Sequence, residues 1–173
     1  EAKMFHQFDH RWSTYDGKRT RDTLPDEKAD PGFTVAPRYG VEEEQVLTRI
    51  PEDWRHRWFL VFRDIARATD ERTVIASVIP AVGVGHTAPI LLSMVQPHYI
   101  AALLANLNSL VLDYVARQKV GGTHLTFFLL EQFPVLPPTN YGKADLEFIV
   151  PRVLELVYTS YDMEPFAHDL GYS

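Results

Sequence analysis

The spacing of apolar residues changes along this chain, and each change predicts a different element. In WRHRWFLVFRDIA (54–66) an apolar run of strand length ends in charge at Arg63. RTVIASVIP (72–80) is a β-branched run stopped by Pro80, which predicts a buried strand. AVGVGHTAPILL (81–92) predicts a Gly-rich turn leading into another short strand. The period then lengthens. In PHYIAALLANLNSLVLDYVARQ (97–118), Ile100, Leu103, Leu104, Leu107, Val111 and Tyr114 or Val115 recur near helical spacing. Pro97 starts this stretch and Gly121-Gly122 follows it, so one long helix is predicted. DLEFIVPRVLELVYTSYDME (145–164) predicts a C-terminal helix, with Pro151 either interrupting it or seated in a first turn. At the other end, KMFHQFDHRWSTY (3–15) reads as a strand, alone or with a hairpin partner. Residues 16–48 read as a loop-rich insertion, marked by Asp16-Gly17, Pro25-Asp26, Asp30-Pro31-Gly32 and Pro37. VEEEQVLTRI (41–50) is either a short helix or an irregular approach to Pro51. The sum is an α+β fold: a mixed β-sheet packed with a long central helix and a C-terminal helix, in one domain covering residues 1–173.

Composition narrows the class. A hydrophobic fraction of 46% over 173 residues is that of a chain with a sizeable core. The absence of cysteine excludes a disulfide scaffold and a thiolate zinc site, and fits a cytoplasmic protein. No apolar run approaches the roughly 20 residues needed to span a bilayer, so no membrane partner is expected. The chain opens at Glu1 inside what reads as a structured segment, so a piece of a longer protein is expected. Net charge is -6, but it is unevenly placed. Residues 131–173 hold seven acids against two bases, whereas residues 49–72 hold six arginines against five acids. Basic chemistry is thus available in the middle of an acidic chain.

Several motifs carry candidate chemistry. His6 and His10 are four apart, but on a predicted strand and without the glutamate of a zinc-protease helix, so they read as structural. Asp16-Gly17-Lys18 and Asp26-Glu27-Lys28 each match half of a metal-dependent nuclease signature, but both lie in a polar loop. GVGHT (83–87) lacks the ending of a phosphate-binding loop. It is either a tight turn or a loop that brings His86 and Thr87 to a phosphate or a base. Arg63, Arg67 and Arg72 alternate with Asp64, Asp70 and Glu71. They either pair with these acids or present planar forks to guanine edges and phosphates. No metal ligand set and no catalytic constellation is predicted.

Four stretches taken together carry a resemblance: HQFDHRW, FRDIARATDERTVIASVIP, GGTHLTFFLLEQFPVLPP and PRVLELVYTSYDMEPFAHDLGY. They resemble the C-terminal target-recognition region of large adenine-N6 DNA methyltransferases, the fused restriction–modification and phage-defence enzymes of Type IIG and Type ISP kind. The resemblance covers most of the chain and is weakest over 16–48. The signature of that family, Asn or Asp before Pro-Pro and an aromatic, is absent; the Pro-Pro here stands in Leu136-Pro137-Pro138-Thr139. The resemblance therefore implies a module that selects the sequence while a separate methyltransferase domain of the same chain binds S-adenosylmethionine and transfers the methyl group. It implies no cofactor in this piece. Double-stranded DNA is the implied partner. Arg63, Arg67, Arg72, His86, Thr87, Arg117, Lys119, Thr123 and His124 are the expected DNA-facing set. By their chemistry, Arg117 and Lys119 suit phosphate, while His124 and an arginine of the 63–72 block suit base edges. The Gly121-Gly122-Thr123 corner is expected to need glycine for a sharp turn open to a ligand. The contrasting expectation is a protein-interaction or assembly domain of a phage-defence system with no DNA contact. Arginines consumed by internal pairs would favour it.

Overall fold

Residues 1–172 are described by a computed structural model. It is an α+β fold with five short strands: β1 (Ser13–Tyr15), β2 (Thr20–Asp22), β3 (Trp58–Phe62), β4 (Ala76–Pro80) and β5 (Ile90–Leu91). The α-helices are α1 (Pro25–Ala29), α2 (Glu43–Leu47), α3 (Pro97–Leu107), α4 (Leu110–Lys119), α5 (Phe127–Leu130), α6 (Lys143–Val157) and α7 (Glu164–Asp169). β3 lies between β4 and β5 and runs antiparallel to both. Every residue of β3 is buried, which is why its sequence is a continuous apolar run rather than an alternating one. Its register pairs Trp58 with Pro80 and Phe62 with Ala76. The second sheet is the β1–β2 hairpin. The expected mixed sheet is thus replaced by two antiparallel ones. No crossover helix joins β3, β4 and β5, so nothing in their connections imposes parallel pairing.

The long helix expected over 97–118 is broken. α3 and α4 meet at a bend of 63°. Two polar residues at the junction account for it. Asn108 closes α3 and turns its side chain onto β4, where Oδ1 accepts from Ala76 N at 3.0 Å and Nδ2 donates to Ala76 O at 2.9 Å. The amide thus takes the place of a neighbouring strand. Ser109 then caps α4, its Oγ accepting from Leu112 N at 3.2 Å. Through Ile100, Ala101, Leu104 and Leu107, α3 is buried against β4 and α6. Among the described residues no single helix is long and apolar enough to cross a membrane.

α6 carries Pro151 in its interior, where proline has no N–H to give its own turn. Val150, Val153, Leu154 and Val157 still bury one face. The expected C-terminal helix ends at Val157, and a 3-10 turn at Tyr161–Met163 leads into α7 at Glu164. There Asp169 accepts from Trp58 Nε1 at 2.8 Å and lies 2.5 Å from His56 Nδ1, fixing α7 beside the start of β3. A continuous buried cluster runs from Ala2 and Phe5 through β3, β4 and α3 to Phe166 and Leu170.

The first fifteen residues contain less strand than expected. A 3-10 turn at Ala2–Met4 leads to a tight turn in which His6 N donates to Asp9 O at 2.7 Å. Phe8 takes a φ of 62°, a left-handed backbone that a bulky side chain adopts at a cost. Arg11 follows, 1% exposed. Its guanidinium donates to the carbonyls of Lys28, Asp30, Phe33 and Thr159 at 2.6–3.1 Å. That fork ties the loop-rich 16–48 region, in which Thr23 alone is buried, to the body of the protein.

Candidate nucleic-acid interface

The chain beyond β3 sits between two partners. Asp64 N donates to Thr87 O at 3.0 Å on one side. On the other, Ala66 N donates to Thr123 O at 3.1 Å and Leu125 N to Asp64 O at 2.6 Å, making Ile65 and His124 a bridged antiparallel pair. Residues 64–66, 87 and 123–125 therefore form one short ribbon continuing the sheet. Leu125 is fully buried beneath it, and Phe127 stacks edge-on to Phe62 at 5.3 Å. The apolar run after the corner forms a short helical turn, α5, that buries none of its residues: Phe127 and Phe128 are exposed, and Leu129 and Leu130 pack partly against the core. The glycines behave differently from expectation. Neither Gly121 nor Gly122 has a positive φ, and a Cβ at either would meet nothing within 4 Å. The fold does not require glycine at these two positions.

Of the nine expected DNA-facing residues, six keep their polar groups at the surface or in the ribbon and three turn inward. His86, Thr123 and His124 are exposed, and Thr87 is half-buried. The His124 ring is held by Asp64, Nδ1 lying 2.8 Å from Oδ2, while the side chain stays 55% exposed. Arg67 and Lys119 are exposed, and their charged ends make no hydrogen bond or ion pair among the described residues. Arg63, Arg72 and Arg117 depart from expectation. Arg63 is half-buried; its Nε donates to Phe5 O at 2.9 Å, and Nη2 donates to the same carbonyl. Burial pushes this guanidinium below its ordinary pKa. Arg72 Nη2 donates to Asn108 O, and its Nε lies 4.0 Å from Asp113 Oδ1. Arg117, proposed from sequence for phosphate, donates from Nε to Asp113 Oδ2 at 2.9 Å and from Nη1 to Ala68 O at 3.0 Å. Its Nη2 donates to Glu71 O.

These three arginines build the site rather than face away from it. Asp113, 4% exposed, is the hub for Arg72 and Arg117, whereas Arg63 ties the end of β3 to Phe5. Asp113 Oδ1 accepts from Thr73 N at 2.8 Å and Val74 N at 2.9 Å. One buried carboxylate thus terminates the edge of the chain entering β4, and Arg117 clamps the 67–72 loop over α4. The loop that carries Arg67 is positioned by this clamp.

Two neighbours were not singled out from sequence as DNA-facing. His6 stacks on Trp12 with ring centroids 4.5 Å apart, and Lys28 Nζ lies 4.8 Å from the Trp12 ring. Burial, then the nearby Arg63 charge, lowers the His6 pKa, which favours its neutral form. The FHQFDHRW segment (5–12) shows both aromatic rings, but no sequence pattern shows that they stack beside the arginine block.

The other candidate chemistries resolve as structure. Asp16 accepts from the backbone N–H groups of Lys18 and Arg19, which lower its pKa. Glu27 forms a fork with Arg21 that holds its carboxyl down at about 2. Lys28 pairs with Asp9 at 2.5 Å. Among the described residues no group of three or more His, Asp or Glu side chains could hold a metal ion. His10, Ser160 and Asp162 cluster, but not as a nucleophilic triad. Ser160 Oγ and Asp162 Oδ1 both lie 3.0 Å from the same ring nitrogen, Nε2, whereas a triad needs them on opposite nitrogens. Burial pushes the Asp162 carboxyl up, but hydrogen bonds from His10 and Ser160 outweigh it and hold the group below the ordinary carboxylate range.

No protein-family model, curated protein or solved structure matches this chain.

Proposed function

We propose that this chain is a DNA sequence-recognition module, working beside a methyltransferase domain that binds S-adenosylmethionine and modifies adenine. The observation that carries the reading is the convergence of residues 64–66, 87 and 123–125 in one hydrogen-bonded ribbon. It displays His86, Thr123 and His124 along an edge whose backbone is fixed. Base readout needs donors and acceptors held in place, and the Asp64 carboxylate supplies that for His124. Arg67 and Lys119 are the cations left to meet phosphate. Arg72 and Arg117 act as positioning residues for the loop that carries Arg67.

The charge inventory sets the scale of binding. Two phosphate contacts release few counterions, so log K against log salt should have a slope of about −2 on duplex DNA. Fluorescence anisotropy with a labelled duplex at low salt measures it. Arg67→Ala and Lys119→Ala should each flatten the slope by about 1 and weaken all sequences alike. A slope unaffected by both changes would remove the phosphate contacts from the account.

A second reading, a protein-interaction domain, is favoured by a separate observation. The outer face of α4 exposes Leu110, Val111 and Tyr114, each at least 68% accessible. In a recognition module of the proposed kind, the same face would serve contact with the methyltransferase domain.

A further inference from the structure

A cavity of about 440 Å³ lies apart from the ribbon edge, between the N-terminal segment, the 34–41 loop and residues 79–88. Its volume is in the range of small-molecule sites. The wall is largely apolar, with Phe5, Val35, Val84 and Ala88 among its residues, and its polar members are Glu1, His10, Thr34, Tyr39 and Asp162. His10 is 4% exposed and holds the Asp162 carboxylate in place, its Nε2 lying 3.0 Å from Oδ1. The unused capacity is on Asp162. Asp162 uses Oδ1 for both Ser160 and His10, and its Oδ2 makes no hydrogen bond among the described residues. A carboxylate oxygen left open beside an apolar wall is a point that a charged ligand donor would satisfy.

The charge of the wall selects the ligand. Its carboxylates are Asp162 and Glu1, and no lysine or arginine lines it. We propose that this cavity binds a compact apolar amine, its ammonium group received by Asp162 and its hydrocarbon or aromatic body by the apolar wall. An alcohol of the same shape would fill the wall but forgo the charge-assisted bond. A carboxylate would meet acceptors of its own sign.

Isothermal titration calorimetry with tryptamine, tryptophol and indole-3-propionate tests this, because the three share one apolar body. Tryptamine should bind about tenfold more tightly than tryptophol, with indole-3-propionate weakest. Asp162→Asn should abolish the preference for the amine while leaving tryptophol binding in place. Val84→Phe, which narrows the cavity from its apolar side, should weaken both. Equal affinity for the three probes, no binding of any, or an amine preference that survives Asp162→Asn would each overturn the proposal. The last outcome would mark general attraction to a chain of net charge -6.

Discussion

Arg11→Met is expected to destabilise the protein by about 4 kcal/mol, the sum of losing charged hydrogen bonds and leaving their acceptors unpaired. Two effects oppose each other here. Burying a guanidinium is costly, and a well-packed apolar replacement of a buried ion pair is often neutral. Arg11, however, has carbonyls rather than a carboxylate as its hydrogen-bond partners. Four of them, on Lys28, Asp30, Phe33 and Thr159, would lose their donor together. Methionine fills the volume and satisfies none. Those carbonyls also belong to segments far apart in the chain, so the 28–33 loop should loosen at the same time. Urea unfolding followed by tryptophan fluorescence gives the free energy, and hydrogen exchange over 28–33 gives the local effect. A loss below about 1 kcal/mol would mean that water replaces the guanidinium at little cost. Arg11→Lys should recover only part of the loss, because one ammonium cannot reproduce a planar fork.

Asp113→Ala is the second large effect, at about 3–5 kcal/mol. The substitution leaves the N–H groups of Thr73 and Val74 without an acceptor and strands the Arg117 guanidinium beside Arg72. Asp113→Asn separates the two contributions. It keeps an oxygen for the two backbone donors but loses the charge that balances the arginines, so it should cost about half as much. The same measurements on duplex DNA matter more for function. Asp113→Asn removes no DNA-facing group, but it releases the clamp on the 67–72 loop, so affinity should fall along with stability. Unfolding curves read beside anisotropy titrations of both variants check this. Equal stability of Asp113→Ala and wild type would contradict the clamp.

How much of this was legible in the sequence depends on the range of the interaction. The buried run Trp58–Phe62 and the β-branched segment ending at Pro80 were readable, because burial on both faces writes itself as uninterrupted apolar residues. The break at Asn108-Ser109 was present as two good capping residues. The apolar period runs through them on either side, so the pattern alone predicts one helix. Mixed pairing was expected because strand order cannot be taken from strand content. The arginines failed for a different reason. Arg63 is held by a carbonyl 58 residues away and Arg117 by carbonyls 49 and 46 residues away. A backbone carbonyl has no sequence signature, whereas acid neighbours such as Asp64, Asp70 and Glu71 do, so the pattern points to the wrong partners. His124 and Asp64 are likewise 60 residues apart. Each segment is legible as a candidate by its residue types, but the ribbon that joins them is not.

Amide chemical-shift mapping on addition of a short duplex at low salt puts the central claim to its most direct test. The account predicts shifts concentrated at 64–67, 86–88 and 119–125, with the largest side-chain response at His124, and no shifts along the outer face of α4. Shifts confined to Leu110, Val111 and Tyr114, or a spectrum that DNA leaves unchanged, would contradict it.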